Sequence, residues 1–217
     1  MKFQPNCVKD EELMKIPVIE CNEKLVNLRD YNKDILIEIE EESKKSQNLK
    51  EDECFVRENV AIMLSQIQSS LPKNTCLKII DTYRPMEAQK RIYAQVLSEL
   101  KNKFPSLTNK ELEKETDKWV ANPKIIPPHT TGGAVDLVLV DKNKKEINFG
   151  TKINTVSIKA ATEFPFKNKV KNNRLFLIKI MTEAGFVNYP LEWWHWSYGD
   201  RIWTFYKRKP FAIYNSI

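Results

Sequence analysis

Along residues 55–71 the apolar side chains Val56, Val60, Met63, Leu64, Ile67 and Leu71 recur every three or four positions, the stripe of an amphipathic helix that Pro72 ends. The period then changes. Residues 76–80 form a short apolar run, β-branched at its end, which predicts a buried strand leading straight into Asp81-Thr82-Tyr83-Arg84-Pro85. Pro85 suits the start of a second helix carrying Ala88, Ile92, Val96 and Leu100 on one face. Thr108 and Glu111 have the spacing of a capping box and open a third helix that runs to about Val120. A loop with Pro123, Pro127 and Pro128 then delivers the chain to His129 and a Gly132-Gly133 turn, and on into residues 134–140, which have strand composition.

Beyond a Lys/Asn turn, residues 174–184 support a further helix closed by Gly185, and residues 186–189 and 194–198 alternate as two aromatic strands. Nearer the N-terminus, residues 34–39 alternate charged and apolar side chains as a half-buried strand does. The acidic run at Glu38, Glu40, Glu41 and Glu42, with residues 43–47, reads as an exposed loop. Helices first and paired strands later, with no regular βαβ rhythm, predict an α+β fold on a central, mainly antiparallel sheet flanked by helices. The chain has 217 residues and 41% hydrophobic content, with no repeat and no Ser/Gly/Pro tract to mark a linker, so residues 1–217 are expected to form a single domain.

A net charge of +6 arises from 35 Lys and Arg against 29 acidic residues, interspersed as on a solvated surface. Residues 142–145 and 167–171 are the densest basic stretches. They lack interleaved aromatics and a base-reading motif, so no nucleic-acid partner is expected. Cys7, Cys21, Cys54 and Cys76 are widely spaced with no CxxC pair, which argues against a thiolate zinc knuckle and for free, buried thiols. No stretch approaches the ~20 apolar residues of a membrane helix, and the first residues lack the apolar core of a secretory signal. A soluble, cytoplasmic protein with no membrane partner is expected.

The chain holds two histidines, each beside carboxylates in a constrained segment. His129 precedes Asp136 across the Gly-Gly turn, which lets a loop residue and a strand residue reach one point. His195 closes Glu192-Trp193-Trp194-His195. A lone histidine is ordinarily a satisfied core or surface residue. Here, however, two imidazoles and one carboxylate meet the donor set of a catalytic zinc site, which takes three N/O ligands and leaves one place for water. Glu192 then remains free as general base, with a role as a further ligand ranked second. Arg84, at a strand end, is placed to stabilise an oxyanion, against the plain reading of a surface arginine before a proline. Trp193, Trp194, Trp196 and Trp203 crowd the last segment; core packing accounts for at least half of them, and one or two are candidates to wall the site.

Asp81-x-Tyr83-Arg84-Pro85, His129-x-x-Gly132-x-Ala134-x-Asp136 and Glu192-Trp193-Trp194-His195 together resemble the zinc D-alanyl-D-alanine dipeptidases, a family that includes the vancomycin-resistance dipeptidase and sits among the D,D-peptidases of the hedgehog-like fold. The resemblance spans about residues 81–200. It implies a cytoplasmic enzyme that cleaves the free dipeptide D-Ala-D-Ala with one zinc ion per chain. The positions matching His129, Asp136 and His195 would bind the metal, the one matching Glu192 would be the base, and the one matching Arg84 would assist the transition state. Asn154, Tyr83 and Trp194 are further candidates for substrate contact.

The chain departs from the family pattern in three places. Pro127 stands where the family has a Ser, and Asn154 stands where it has an Asp associated with the substrate ammonium. Asn keeps an acceptor oxygen but loses a charge-assisted hydrogen bond, about 1.5–3 kcal/mol or roughly one to two powers of ten in affinity. The stretch from Glu40 to Leu49 also diverges, and its acidic cluster from Glu40 to Glu42 is a candidate replacement for the missing charge. These departures keep open a D,D-carboxypeptidase that accepts N-blocked or longer substrates. A non-catalytic metal-binding module of the same fold is the alternative outside the enzymes.

Overall fold

The computed structural model describes residues 3–39, 41–47, 49–50 and 53–217. Among them the strands are β1 (Leu25–Asn27), β2 (Leu36–Ile37), β3 (Phe55–Arg57), β4 (Thr75–Asp81), β5 (Ala134–Asp141), β6 (Val187–Asn188) and β7 (His195–Ser197). The helices are α1 (Asp10–Met14), α2 (Glu41–Gln47), α3 (Glu58–Ser70), α4 (Met86–Lys103), α5 (Asn109–Thr116), α6 (Asn168–Glu183) and α7 (Arg201–Tyr206). Five strands form one sheet in the order β2-β4-β5-β7-β6, parallel at β2/β4 and antiparallel elsewhere. The α+β class and the mainly antiparallel sheet are therefore as expected. A separate antiparallel pair joins β1 to β3.

The central strand β5 reads Ala-Val-Asp-Leu-Val-Leu-Val-Asp and is buried along all but its last residue, so its β-branched side chains pack on both faces. Leu77 and Ile79 of β4 and Leu137 and Leu139 of β5 share one face and meet Leu64 of α3 and Met181 of α6 in the main core. Each fully buried side chain of this size contributes roughly 1.5–3 kcal/mol. The opposite face carries the chemistry. Lys78 pairs with Val138 and Ile79 with Leu137, but the register then shifts and Asp81, not Ile80, lies opposite Asp136. A regular ladder would turn Asp81 toward the core face; the extra residue brings it round beside Asp136.

Several boundaries differ from the periodicity. Residues 55–57 belong to β3, because their backbone pairs with β1, and the helix starts at Glu58. The capping box of Thr108 and Glu111 is formed, with the Thr108 N–H donating to Glu111 Oε2 at 2.8 Å, yet α5 ends at Thr116 rather than Val120. The helix expected from Arg174 starts six residues earlier, at Asn168. The acidic run expected as a loop is α2 from Glu41 onward, with Ser43 on its buried side, while Glu40 lies outside the described residues. All four cysteines are free, but Cys54 alone of them is buried and Cys21 is exposed in the extended segment before β1. Among the described residues no helix is long and apolar enough to cross a membrane.

The Gly-Gly turn has a steric cause. Gly132 has φ +72°, and a Cβ on Gly133 would stand 2.2 Å from the Tyr198 carbonyl oxygen. Gly133→Ala is therefore expected to force the turn off β7, costing about 1–3 kcal/mol and lowering Tm by about 2–12 °C. A thermal melt followed by circular dichroism measures it, and an unchanged Tm would show that the close approach carries no constraint.

Candidate active site

Asp81, Asp136 and His195 lie side by side across β4, β5 and β7, since Asp136 is paired with both of the others. Directly paired residues present their side chains on the same face, so the ladder itself assembles the row. His195 Nδ1 lies 2.9 Å from Asp136 Oδ1. His129 arrives from outside the sheet, on a short 3₁₀ turn, Pro128–Thr131, that the consecutive prolines Pro127 and Pro128 pre-set. Its Nδ1–H donates to the Thr82 carbonyl at 2.8 Å, which leaves Nε2 facing Asp136 Oδ1 at 3.4 Å. The two imidazoles stand edge to face at 4.9 Å.

These three side chains are buried, and one donor atom from each lies within 4.8 Å of the others. A tetrahedral ion with N and O ligands at ~2.0–2.2 Å has ligand–ligand edges of roughly 3.3 Å. The two separations to Asp136 Oδ1, 2.9 and 3.4 Å, are near those edges and all three donor atoms lie within 4.8 Å of one another, so the donor set suits a divalent ion of the zinc type in chemistry and lies within reach of a single ion. The hydrogen bond from His129 to the Thr82 carbonyl is also the outer contact that orients such a ligand.

The electrostatics are concentrated here. Burial pulls the His129 imidazole down, but the Asp136 and Asp81 carboxylates outweigh it and raise the pKa to about 9. Asp136 is opposed by burial yet is held well below the usual carboxylate range by His129 and His195. Glu192, half-buried, is pushed above the usual range by burial, and the other charges acting on it are those of His195, Asp136, His129 and Arg84. Its carboxylate therefore lies within electrostatic reach of the cluster. A carboxyl shifted upward from the ordinary range is better suited to accept and return a proton than an unperturbed one.

Arg84 leaves the end of β4 with its backbone N–H bonded to the His129 carbonyl at 3.0 Å. Its guanidinium donates to Asp81 Oδ2 and, at 2.7 Å, to Gln89 Oε1. Gln89 is itself buried and anchored by its amide to the Ala121 carbonyl at 2.7 Å. Two acceptors on different elements thus aim one guanidinium, which restricts rotamers that would otherwise blur its position.

Asn188 holds the loop with Glu192 and His195, Arg174 ties together the segments beside Trp193, and neither was expected from the sequence. The Asn188 side-chain amide donates to the Glu192 carbonyl at 3.0 Å and to the His195 carbonyl at 2.9 Å, buckling the turn between β6 and β7. Arg174 is buried with no carboxylate partner among the described residues. It donates to the carbonyls of Phe149, Ala161, Thr162 and Lys159, and it packs 5.3 Å from the rings of Phe166 and Trp193. Its burial lowers the pKa to about 10, which leaves it charged at neutral pH. A signal for Arg174 exists in the sequence: it falls on the apolar stripe of α6 with Leu177 and Met181.

Tyr83, Trp194 and Asn154, the three candidates for substrate contact, sit in different settings. The Tyr83 hydroxyl donates to the Ile217 carbonyl at 3.0 Å. Trp194 is buried in the main core, edge-on to Trp193. Asn154 is exposed with φ +58°, a left-handed conformation that Asn tolerates better than most residues. The acidic cluster offered as a substitute charge lies partly outside the described residues at Glu40, and Glu41 is exposed and paired with Lys44 at 3.2 Å.

The model of the family described as D-ala-D-ala dipeptidase matches residues 28–215. Two curated relatives are similar, both D-alanyl-D-alanine dipeptidases. The Synechocystis protein is 28% identical over 149 residues, covering 58% of this chain and 60% of its own length. The Escherichia coli protein is 26% identical over 122 residues, covering 56% of this chain and 54% of its own length. The match thus spans little more than half of either relative. Among solved structures, VanYB in complex with D-Alanine-D-Alanine aligns with a TM-score of 0.44 and 17% identity, covering 74% of this chain and 82% of that one.

Proposed function

We propose, because this chain belongs to the D-ala-D-ala dipeptidase family, that it is a zinc peptidase hydrolysing the peptide bond of D-Ala-D-Ala or a similar short D-amino-acid dipeptide. One zinc ion per chain is held by His129, Asp136 and His195, and residues 1–217 act as one catalytic domain in the cytoplasm, the four free thiols suiting a reducing compartment. The observation that carries the reading is the convergence of two imidazoles and a carboxylate within 4.8 Å, with Arg84 tied to the neighbouring Asp81 and Glu192 within electrostatic reach.

When bound, zinc supplies Lewis acidity toward the scissile carbonyl and lowers the pKa of water. Glu192 takes the proton of the attacking water and passes it to the leaving amine, work for which its raised pKa suits it. Arg84, aimed by Asp81 and Gln89, donates to the oxygen on which negative charge develops. Thr82, through its carbonyl, keeps His129 Nε2 presented to the ion. Arg84→Ala is expected to bind zinc normally while kcat falls by about 10² to 10³. Steady-state kinetics alongside metal analysis reads both quantities, and near-normal turnover removes Arg84 from the transition state.

The missing carboxylate at Asn154 favours a second reading, a D,D-carboxypeptidase or related peptidoglycan peptidase that does not require a free ammonium. Turnover of D-Ala-D-Ala beside its N-acetylated form on the zinc-loaded protein separates the two. The dipeptidase reading expects the free form to be preferred, and equal or faster cleavage of the blocked form overturns it. Hydrolysis of neither leaves a non-catalytic metal-binding module.

A further inference from the structure

On the side of His195 away from Asp136 lies a chain of polar groups that none of these roles uses. Ser197 follows two residues later in β7 and so shares the face of His195. It is fully buried, with Oγ 3.3 Å from His195 Nε2. Asp200, three residues further along the chain, is also buried. Its Oδ1 accepts the Trp203 N–H at 2.8 Å and caps α7. Oδ2 is buried without a completed hydrogen bond, and the neighbouring side-chain hydroxyl that pulls on this carboxylate belongs to Ser197.

Hydrogen-bond accounting gives the chain a direction. His195 turns Nδ1 toward Asp136, so a ligand role requires the lone pair on Nδ1 and places the ring proton on Nε2. The acceptor in reach of Nε2–H is Ser197 Oγ. A hydroxyl that accepts this bond still has one proton to donate, and among the described residues buried Oδ2 of Asp200 lacks a donor. Each group's need is the next group's surplus.

We propose that Asp200 and Ser197 form a buried relay behind His195. The His195 Nε2–H donates to Ser197 Oγ and the Ser197 O–H donates to Asp200 Oδ2. The relay locks the imidazole in the tautomer that presents Nδ1 to the cation, and it strengthens that nitrogen as a donor. It rests on His195 being a metal ligand, as in the proposed function. Asp200 and Ser197 touch no reacting atom and are positioning residues; outer contacts of this kind contribute about 10- to 100-fold in metal affinity.

The test measures zinc affinity by chelator competition for the wild-type protein, Asp200→Asn, Ser197→Ala and Ser197→Thr. Asp200→Asn keeps an oxygen to cap α7 and loses the charge, so its Tm stays near wild type while zinc binding weakens about 10-fold. Ser197→Ala weakens it by about 10- to 100-fold, and Ser197→Thr, which restores the hydroxyl, recovers most of the loss. Long-range 1H–15N spectra of the zinc-loaded wild type place the His195 proton on Nε2, a readout that loss of packing alone does not move. Should Ser197→Ala not fold, Asp200→Asn and the spectrum decide. Unchanged zinc affinity in Asp200→Asn, or a His195 proton on Nδ1, overturns the relay. A wild-type protein that takes up no zinc overturns the metal-site reading itself, a different result from a relay that contributes nothing.

Discussion

Glu192→Gln is expected to keep stoichiometric zinc and a KM near that of the wild type while kcat falls by about 10² to 10⁴. The substitution changes little in shape, and the loop around it is held by groups it leaves in place: the Asn188 amide on the backbone carbonyls of Glu192 and His195, and the Trp193 indole N–H on Thr151 Oγ1 at 2.9 Å. What disappears is the capacity to accept a proton from water and return it to the leaving amine. Because the three proposed metal ligands are untouched, binding and proton transfer separate cleanly. Metal analysis and steady-state kinetics on the same preparation make the measurement. Turnover within tenfold of wild type would assign the base to another group, and loss of zinc would move Glu192 into the ligand set.

His195→Ala is expected to abolish stoichiometric zinc and to bring activity to background. Loss of a direct ligand exceeds the 10- to 100-fold in affinity that an outer contact contributes. The change also strips Asp136 of the partner at 2.9 Å and leaves a buried carboxylate with His129 at 3.4 Å, so a stability loss of about 1–3 kcal/mol accompanies it. Circular dichroism distinguishes a folded, metal-depleted protein from an unfolded one. Retention of one zinc per folded chain would exclude His195 as a ligand and with it the assigned geometry. The contrast is diagnostic: Glu192→Gln separates rate from metal, whereas His195→Ala removes both.

Much of the scaffold was legible because it is local. The Pro72 stop, the Thr108/Glu111 capping box, the β-branched run of β5 and Gly185 after α6 each act within a few residues, and each operates in the fold. The errors arose where distant backbone competed with local pattern. Residues 55–57 continue the helical stripe in their side chains, but their N–H and C=O groups pair with β1. The short helices α1 and α7 carry too little periodicity to announce themselves, and α7 is recognised through the Asp200 cap and its packing with α1 in the smaller apolar cluster.

By itself the sequence determined the chemical types at the site, two imidazoles with Asp136, Glu192 and Arg84, and the Gly132-Gly133 turn that allows a loop to fold back onto a strand. Residue type and short spacing are local properties, readable without a fold. Tertiary structure alone decided that these groups converge. The irregularity at Ile80 turns Asp81 onto the working face, cross-strand pairing sets Asp136 beside His195, and the Thr82 carbonyl chooses which nitrogen His129 presents. Register, tautomer and outer hydrogen bonds depend on atoms far apart along the chain, and the strand ladder of the sheet is the physical device that brings them within a few ångströms.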